Sequence, residues 1–307
     1  MTNVEFGIKV ATFPSSSING PPFIERILNF IKRTRENYRT IWFSDHLTPW
    51  TKGIPQNLDT LECLTTVSYL SGVFPDRQFG TAVLSNSFRN PALLAKMVAT
   101  LDELTGGRFI LGIGAGWREQ EYREYGYEYP PPAVRIRQLS EGLQIIRKLW
   151  TEDNVSFDGR YFKVSNLTCY PHPNPLPKIM VGGGGESLTL RVVAKYADWW
   201  NFGAVSVDAY KRKMDVLAEH CDKVGRKFDS IRKTAEVFIA LGKTKEEVAE
   251  RVMTGRQAHF VGTPEEATAW FGGFIDLGVD YFEMRFLDEP STEGANLFAE
   301  KVIPKLR

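Results

Sequence analysis

Short apolar runs alternate with longer stretches of helical periodicity along nearly the whole chain. Runs at 6–12, 40–44, 79–84, 109–113, 179–182, 198–202, 234–241 and 281–287 read as strands. They are short, rich in β-branched and aromatic residues, and bounded by polar, Gly or Pro segments, which marks buried strands. Between them the apolar positions recur at helical spacing. In 23–37, for example, Ile24, Ile27, Leu28 and Ile31 share one face. Further helices are predicted at 60–73, 134–150, 188–197, 209–224, 245–254 and 295–306. Two more carry explicit start signals. Asn90 precedes Pro91 in a helix that stops before Gly106 and Gly107, and Thr263 precedes Pro264 in one that runs to 276.

Eight strands, each followed by a helix, predict an α/β protein with a (β/α)8 TIM-barrel fold. The stretch 151–177 breaks the rhythm. Its segment VSFDGRYFKV reads as a hairpin around Asp158 and Gly159, so an insertion before strand five is expected. No repeat or linker interrupts the chain, and 1–307 reads as a single barrel domain. Composition agrees: 307 residues suit one barrel, and 43% hydrophobic content supplies a large core. A net charge of +1 offers no basic surface for nucleic acid or membrane. No apolar run is long enough for a membrane span, and the opening MTNVEFGIKVATF lacks signal-peptide features, so a cytoplasmic location is expected. Cys63, Cys169 and Cys221 are scattered, which predicts reduced structural thiols and neither disulfide nor zinc site.

In this fold the chemistry sits on the loops that follow the strands. Ser44-Asp45-His46 follows strand two, and an imidazole beside a carboxylate can give or take a proton near neutral pH. His172, His220 and His259 fall in a Pro-rich loop or on helices, and His220 and His259 are read as ordinary polar positions. Gly112-Ile113-Gly114-Ala115-Gly116-Trp117 follows strand four. It lacks the third glycine of a dinucleotide fingerprint, because Trp117 stands there. Gly182-Gly183-Gly184-Gly185-Glu186-Ser187 follows strand five directly before a helix, and free amides at such a terminus favour a phosphate. From the residues alone, an aldolase, an isomerase or a phosphohydrolase fits as well as an oxidoreductase, whereas a metal site does not.

The ordered set SDHLTPW, GTAV, GRFILGIGAGW, GGGGES and ADWWN resembles the bacterial luciferase-like superfamily, and within it the branch using the deazaflavin coenzyme F420. The resemblance spans almost the whole chain. It implies an F420-dependent oxidoreductase that transfers a hydride to or from a small organic substrate, with a flavin mononucleotide (FMN)-dependent monooxygenase as the alternative and a non-catalytic flavin- or deazaflavin-binding protein as a second alternative. It makes His46 and Asp45 catalytic and places Asp45 beside the ring. It matches Ala82-Val83 to a non-proline cis peptide under the ring, and Gly114, Ala115 and Gly116 to backbone lining the cofactor. Residues Gly182, Gly183, Gly184, Gly185, Glu186 and Ser187 match the phosphate site. Trp50 matches an aromatic on the substrate side. Trp117 stands where sugar-phosphate dehydrogenases of this branch carry a glutamate, which argues against glucose 6-phosphate. Glu121, one helical turn on, is a candidate replacement, and Arg285 a candidate ligand for an anionic substrate group or a structural ion-pair residue. The loops 51–58, 122–132 and 151–177 are expected to shape the substrate pocket. The resemblance also implies a homodimer.

Overall fold

The computed structural model describes residues 4–14, 22–34, 36–50, 55–251 and 258–307. Its strands, in chain order, are β1 (Glu5–Val10), β2 (Tyr38–Phe43), β3 (Gln78–Thr81), β4 (Leu84–Ser85), β5 (Phe109–Gly114), β6 (Val155–Asp158), β7 (Lys163–Leu167), β8 (Lys178–Gly182), β9 (Trp199–Gly203), β10 (Arg232–Leu241), β11 (Phe260–Gly262) and β12 (Tyr281–Phe286). Helices separate the parallel strands, and the fold class is the (β/α)8 barrel expected from the alternation. By internal contacts the chain divides into two compact units. The first comprises Met1–Glu62, Asn201–Arg212 and Arg232–Arg307, and the second Cys63–Trp200 and Lys213–Ile231.

In the first unit β11, β10, β12, β1 and β2 run parallel in that order. Their registers place Phe6 opposite Phe282 and Ile8 opposite Met284. Helices Pro264–Asp276 and Glu293–Lys301 press Phe271 and Phe298 onto this face, with ring centroids 4.9–5.3 Å from Phe282 and Phe6 respectively and 5.1 Å from each other. All four rings are buried, each worth about 1.5–3 kcal/mol relative to exposure. The start signal at Thr263 is realised as a full capping box with Glu266.

In the second unit β3, β5 and β8 run parallel in that order, with β4 also on β5. The side chain of Asn90 accepts from the Ala92 amide and caps helix Pro91–Thr105, as its sequence predicts. The 151–177 segment forms the antiparallel hairpin β6–β7. Glu141, on helix Pro132–Thr151, pins its turn by accepting from the amides of Arg160, Tyr161 and Phe162 at 2.9–3.2 Å.

Four expectations need correction. The third strand, expected at 79–84, is split into β3 and β4, with a cis Ala82–Val83 peptide between them. The last helix is two, Glu293–Lys301 and Ile303–Leu306, because Pro304 has no N–H to continue the ladder. The three-residue β11 is too short to leave a periodic signal. His259 lies just ahead of β11 and not on a helix. The helix expected at 245–254 is seen as Lys245–Arg251, its remainder lying outside the described residues, as does 51–54 of the substrate loop. All three cysteines are free and buried.

Candidate functional site

In the first unit, β2 ends at Phe43 and delivers Ser44, Asp45 and His46 to the loop beyond it. Asp45 is buried and His46 half-buried. The His46 ring lies 5.2 Å from that of Trp50, which meets Phe13 edge-on at 6.3 Å. An aromatic wall thus stands beside the imidazole, bringing together two of the residues singled out from the sequence.

The same unit holds a charged cluster that the sequence reading missed. Lys9 on β1 forms an ion pair with Glu236 on β10. Glu236 is register-opposed to Glu283 on β12, and Glu283 is fully buried. Asn201 on β9 donates to Glu283 Oε1 at 2.7 Å and to the Thr234 hydroxyl at 3.2 Å. Burial, reinforced by the neighbouring Glu236 charge, pushes the Glu283 carboxyl up to about 8. His259 Nδ1 accepts from the Phe238 amide at 3.0 Å, and burial lowers the pKa of its imidazole. These charges interrupt apolar runs, one each in GIKV and AEVF and two, Glu283 and Arg285, in FEMRF. The signal that finds them is an unexpected charge in a buried run. Arg285 forms an ion pair in the structure. It is 6% exposed, pairs with Glu289, and donates to the Lys9 carbonyl at 3.2 Å.

The second unit carries the glycine-rich segments. A Cβ on Gly114 or on Gly182 would lie 2.9 Å from a Val83 methyl, and Gly116, at φ +74°, lies beneath the Tyr122 hydroxyl. Glycine at these positions leaves room for the protein's own side chains. The Ala82–Val83 peptide that Gly114 and Gly182 enclose is cis, the geometry the resemblance implies. Trp117 is exposed on the loop leaving β5. The following helix starts only at Glu119, so Glu121 is not one turn beyond Trp117. It is buried and paired with Arg118 at 3.2 Å.

The loop 183–187 is the one expected from the sequence to meet a phosphate. Glu186, Ser187 and Leu188 form a turn, and the helix begins at Thr189 rather than directly after the glycines. The loop is closed on itself by Leu190 N–H donating to the Gly185 carbonyl at 3.0 Å. Trp200 Nε1 donates to the Gly183 carbonyl at 2.9 Å, Lys213 pairs with the Glu186 carboxylate at 2.6 Å, and His220 Nε2 meets the Glu186 carbonyl at 2.7 Å. The amides of Gly184, Gly185 and Ser187 donate to no acceptor among the described residues. A rigid loop presenting unused amides fits a phosphate group. His220, expected to be an ordinary polar position, and Lys213, which the sequence did not single out, are what hold it. Among the described residues no group of three or more His, Cys, Asp or Glu is placed to hold a metal ion, and no helix is long and apolar enough to cross a membrane.

Parallel strands alternating with helices, with polar loops beyond the strand ends, define the class of (β/α)8-barrel enzymes. The profile of the luciferase-like monooxygenase family matches residues 4–276, and the chain belongs to that family. It is 27% identical to the F420-dependent glucose-6-phosphate dehydrogenase of Amycolatopsis mediterranei, over 87% of this chain and 90% of that one. Among solved structures, an F420-dependent secondary alcohol dehydrogenase in complex with an F420–acetone adduct superposes with a TM-score of 0.84 at 19% identity, covering 99% of each chain. The oxygenating constituent of 3,6-diketocamphane monooxygenase of Pseudomonas putida, in complex with FMN, gives 0.75 at 18% identity, covering 99% of each.

Burial of Glu283 ties stability to pH. Its pKa is raised from the ordinary 4.5 to about 8, so the folded protein keeps a proton that the unfolded chain releases. The associated stabilisation is complete below about pH 4.5 and is lost as pH rises through about 8. Glu283→Gln keeps the neutral shape without the titration. Between about pH 5 and pH 8 the melting temperature of the wild type should therefore fall relative to that of the variant, and the difference should then level off. A pH-independent difference would show that Glu283 is ionised in the folded protein.

Proposed function

We propose that the protein is a coenzyme F420-dependent oxidoreductase that moves a hydride between the deazaflavin and a small organic substrate. The observation that carries the reading is the braced 183–187 loop with its unused amides, in a chain whose relatives by sequence include an F420-dependent dehydrogenase. That loop holds the coenzyme's phosphate through Gly183, Gly184, Gly185, Glu186 and Ser187. Ala82, Val83, Gly114, Ala115 and Gly116, all in the second unit, line the deazaflavin ring. When bound, the coenzyme accepts or returns a hydride. His46 takes the proton from a substrate hydroxyl or gives it to a substrate carbonyl, Asp45 orients that imidazole, and Trp50 contacts the substrate. An FMN-dependent monooxygenase would use the same phosphate loop. The sequence relative weighs for the deazaflavin, because the FMN-containing neighbour shares the fold alone. A purely binding role leaves Asp45 and His46 without a task.

We read the chain as one domain, since the family match runs from 4 to 276 without a break. The protein acts as a cytoplasmic homodimer. Support for the dimer comes from Tyr69 and Val73 on helix Cys63–Val73 and Leu93 and Leu104 on helix Pro91–Thr105, apolar side chains left exposed early in the barrel.

The test of the chemistry is coenzyme reduction or oxidation across a panel of alcohols and carbonyl compounds. His46→Ala should fold normally and lose about 10²-fold or more in kcat. Undiminished turnover would remove His46 from the proton transfer. Sedimentation equilibrium should give twice the 34.8 kDa chain mass, and a value equal to one chain would remove the dimer.

A further inference from the structure

The charge balance of the first unit narrows the substrate. Toward the carboxyl ends of β1, β2, β10 and β12 lies a small cleft of about 30 Å³. Phe13, Trp50 and Phe238 form its apolar walls, Ser44 contributes a hydroxyl, and Lys9 and Arg285 are its two cations. Two cations in a cleft beside a catalytic loop are what a phosphorylated or carboxylated substrate would need. Here both are already engaged. Lys9 pairs with Glu236 and Arg285 with Glu289, and the side chains of Lys9, Arg285 and Glu289 are each at most 10% exposed. Glu289 is itself fixed, accepting from the Ala11 amide at 3.2 Å. Glu283, opposite Glu236, carries a proton at neutral pH and adds no charge. Among the described residues these two cations face two carboxylates, so there an entering anion meets no uncompensated positive charge and has to be desolvated without a partner.

We propose that this cleft takes the reacting end of a small uncharged carbonyl compound, or of the corresponding alcohol, and rejects phosphorylated and carboxylated substrates. This inference rests on the F420-dependent reading above. Trp50, one wall of the cleft, is also the ring against which His46 lies. A substrate whose alkyl part packs on Phe13, Trp50 and Phe238 therefore has its oxygen within the neighbourhood of the imidazole and of Ser44. In the oxidative direction the carbinol C–H bond breaks and its hydride passes to the oxidised coenzyme. The O–H bond breaks and its proton passes to His46, and the C=O bond forms. Reduction is the reverse. The walls are apolar and the cleft is small, so selectivity comes from charge exclusion and size rather than from a set of directional hydrogen bonds.

The test uses the full-length protein loaded with F420, with coenzyme binding read separately from its fluorescence. Wild-type kcat/KM for short ketones or alcohols should exceed that for glucose 6-phosphate by about 10²-fold or more. At saturating coenzyme, inorganic phosphate should not compete with the substrate. Glu289→Gln releases Arg285, and phosphate should then compete, with at least about a tenfold gain in affinity over wild type. The inference is overturned if glucose 6-phosphate is the better wild-type substrate, or if phosphate competes with substrate in the wild type. It is also overturned if Glu289→Gln melts like the wild type and gains no phosphate affinity. Should the variant not fold, the wild-type substrate panel decides. Failure of the coenzyme to bind would instead overturn the F420 reading. The charge argument would then be read from calorimetry, as the gain or absence of gain in phosphate binding on Glu289→Gln.

Discussion

Charge buried on a strand has to be balanced where it lies, because water cannot screen it. In the first unit this constraint links four strands. Lys9 on β1 answers Glu236 on β10, Glu236 raises the proton affinity of Glu283 on β12, and Asn201 on β9 satisfies one oxygen of that carboxyl. Arg285, two residues beyond Glu283 and on the same strand face, is balanced in turn by Glu289 and bonded to the Lys9 carbonyl. Removing any one member leaves another as an unpaired buried group, which is far more costly than the pair itself is stabilising. The same balance decides what the cleft above these residues can accept, so a requirement of folding becomes a requirement on the substrate.

The second unit solves a different problem, that of holding a polar backbone loop open. A loop with three unused amides would collapse onto its own carbonyls unless those were engaged elsewhere. Trp200 and His220 occupy the Gly183 and Glu186 carbonyls, and Lys213 fixes the Glu186 carboxylate. What remains unused are donors, which suit an anion. The second unit thus offers a loop of unused amides, and the first a charge-balanced, aromatic-walled cleft. The two requirements suit a coenzyme that bears phosphate and a substrate that does not.

How much of this was legible in the sequence depends on the range of the interaction involved. The alternation of strands and helices, the Asn90 cap and the Thr263 box are set by residues a few positions apart, and the pattern shows them. Asp45 and His46 were found because fold class alone assigns chemistry to strand ends. Pairings between distant strands left no local trace. Lys9–Glu236 and Asn201–Glu283 each join positions that only folding brings together, so Arg285 could be read either as a ligand or as an ion-pair residue. Glycines are ambiguous for a related reason. A glycine records that something approaches its Cα without saying what, and for Gly114, Gly116 and Gly182 the neighbours are Val83 and Tyr122.

The central claim is that a deazaflavin, rather than a flavin, is the working cofactor. Fluorescence titration of the purified full-length protein with F420 and, separately, with FMN tests it most directly. The account predicts saturable F420 binding at least about tenfold tighter than FMN, weakened when Lys213→Ala unbraces the phosphate loop. Tight FMN binding with no measurable affinity for F420 would contradict it.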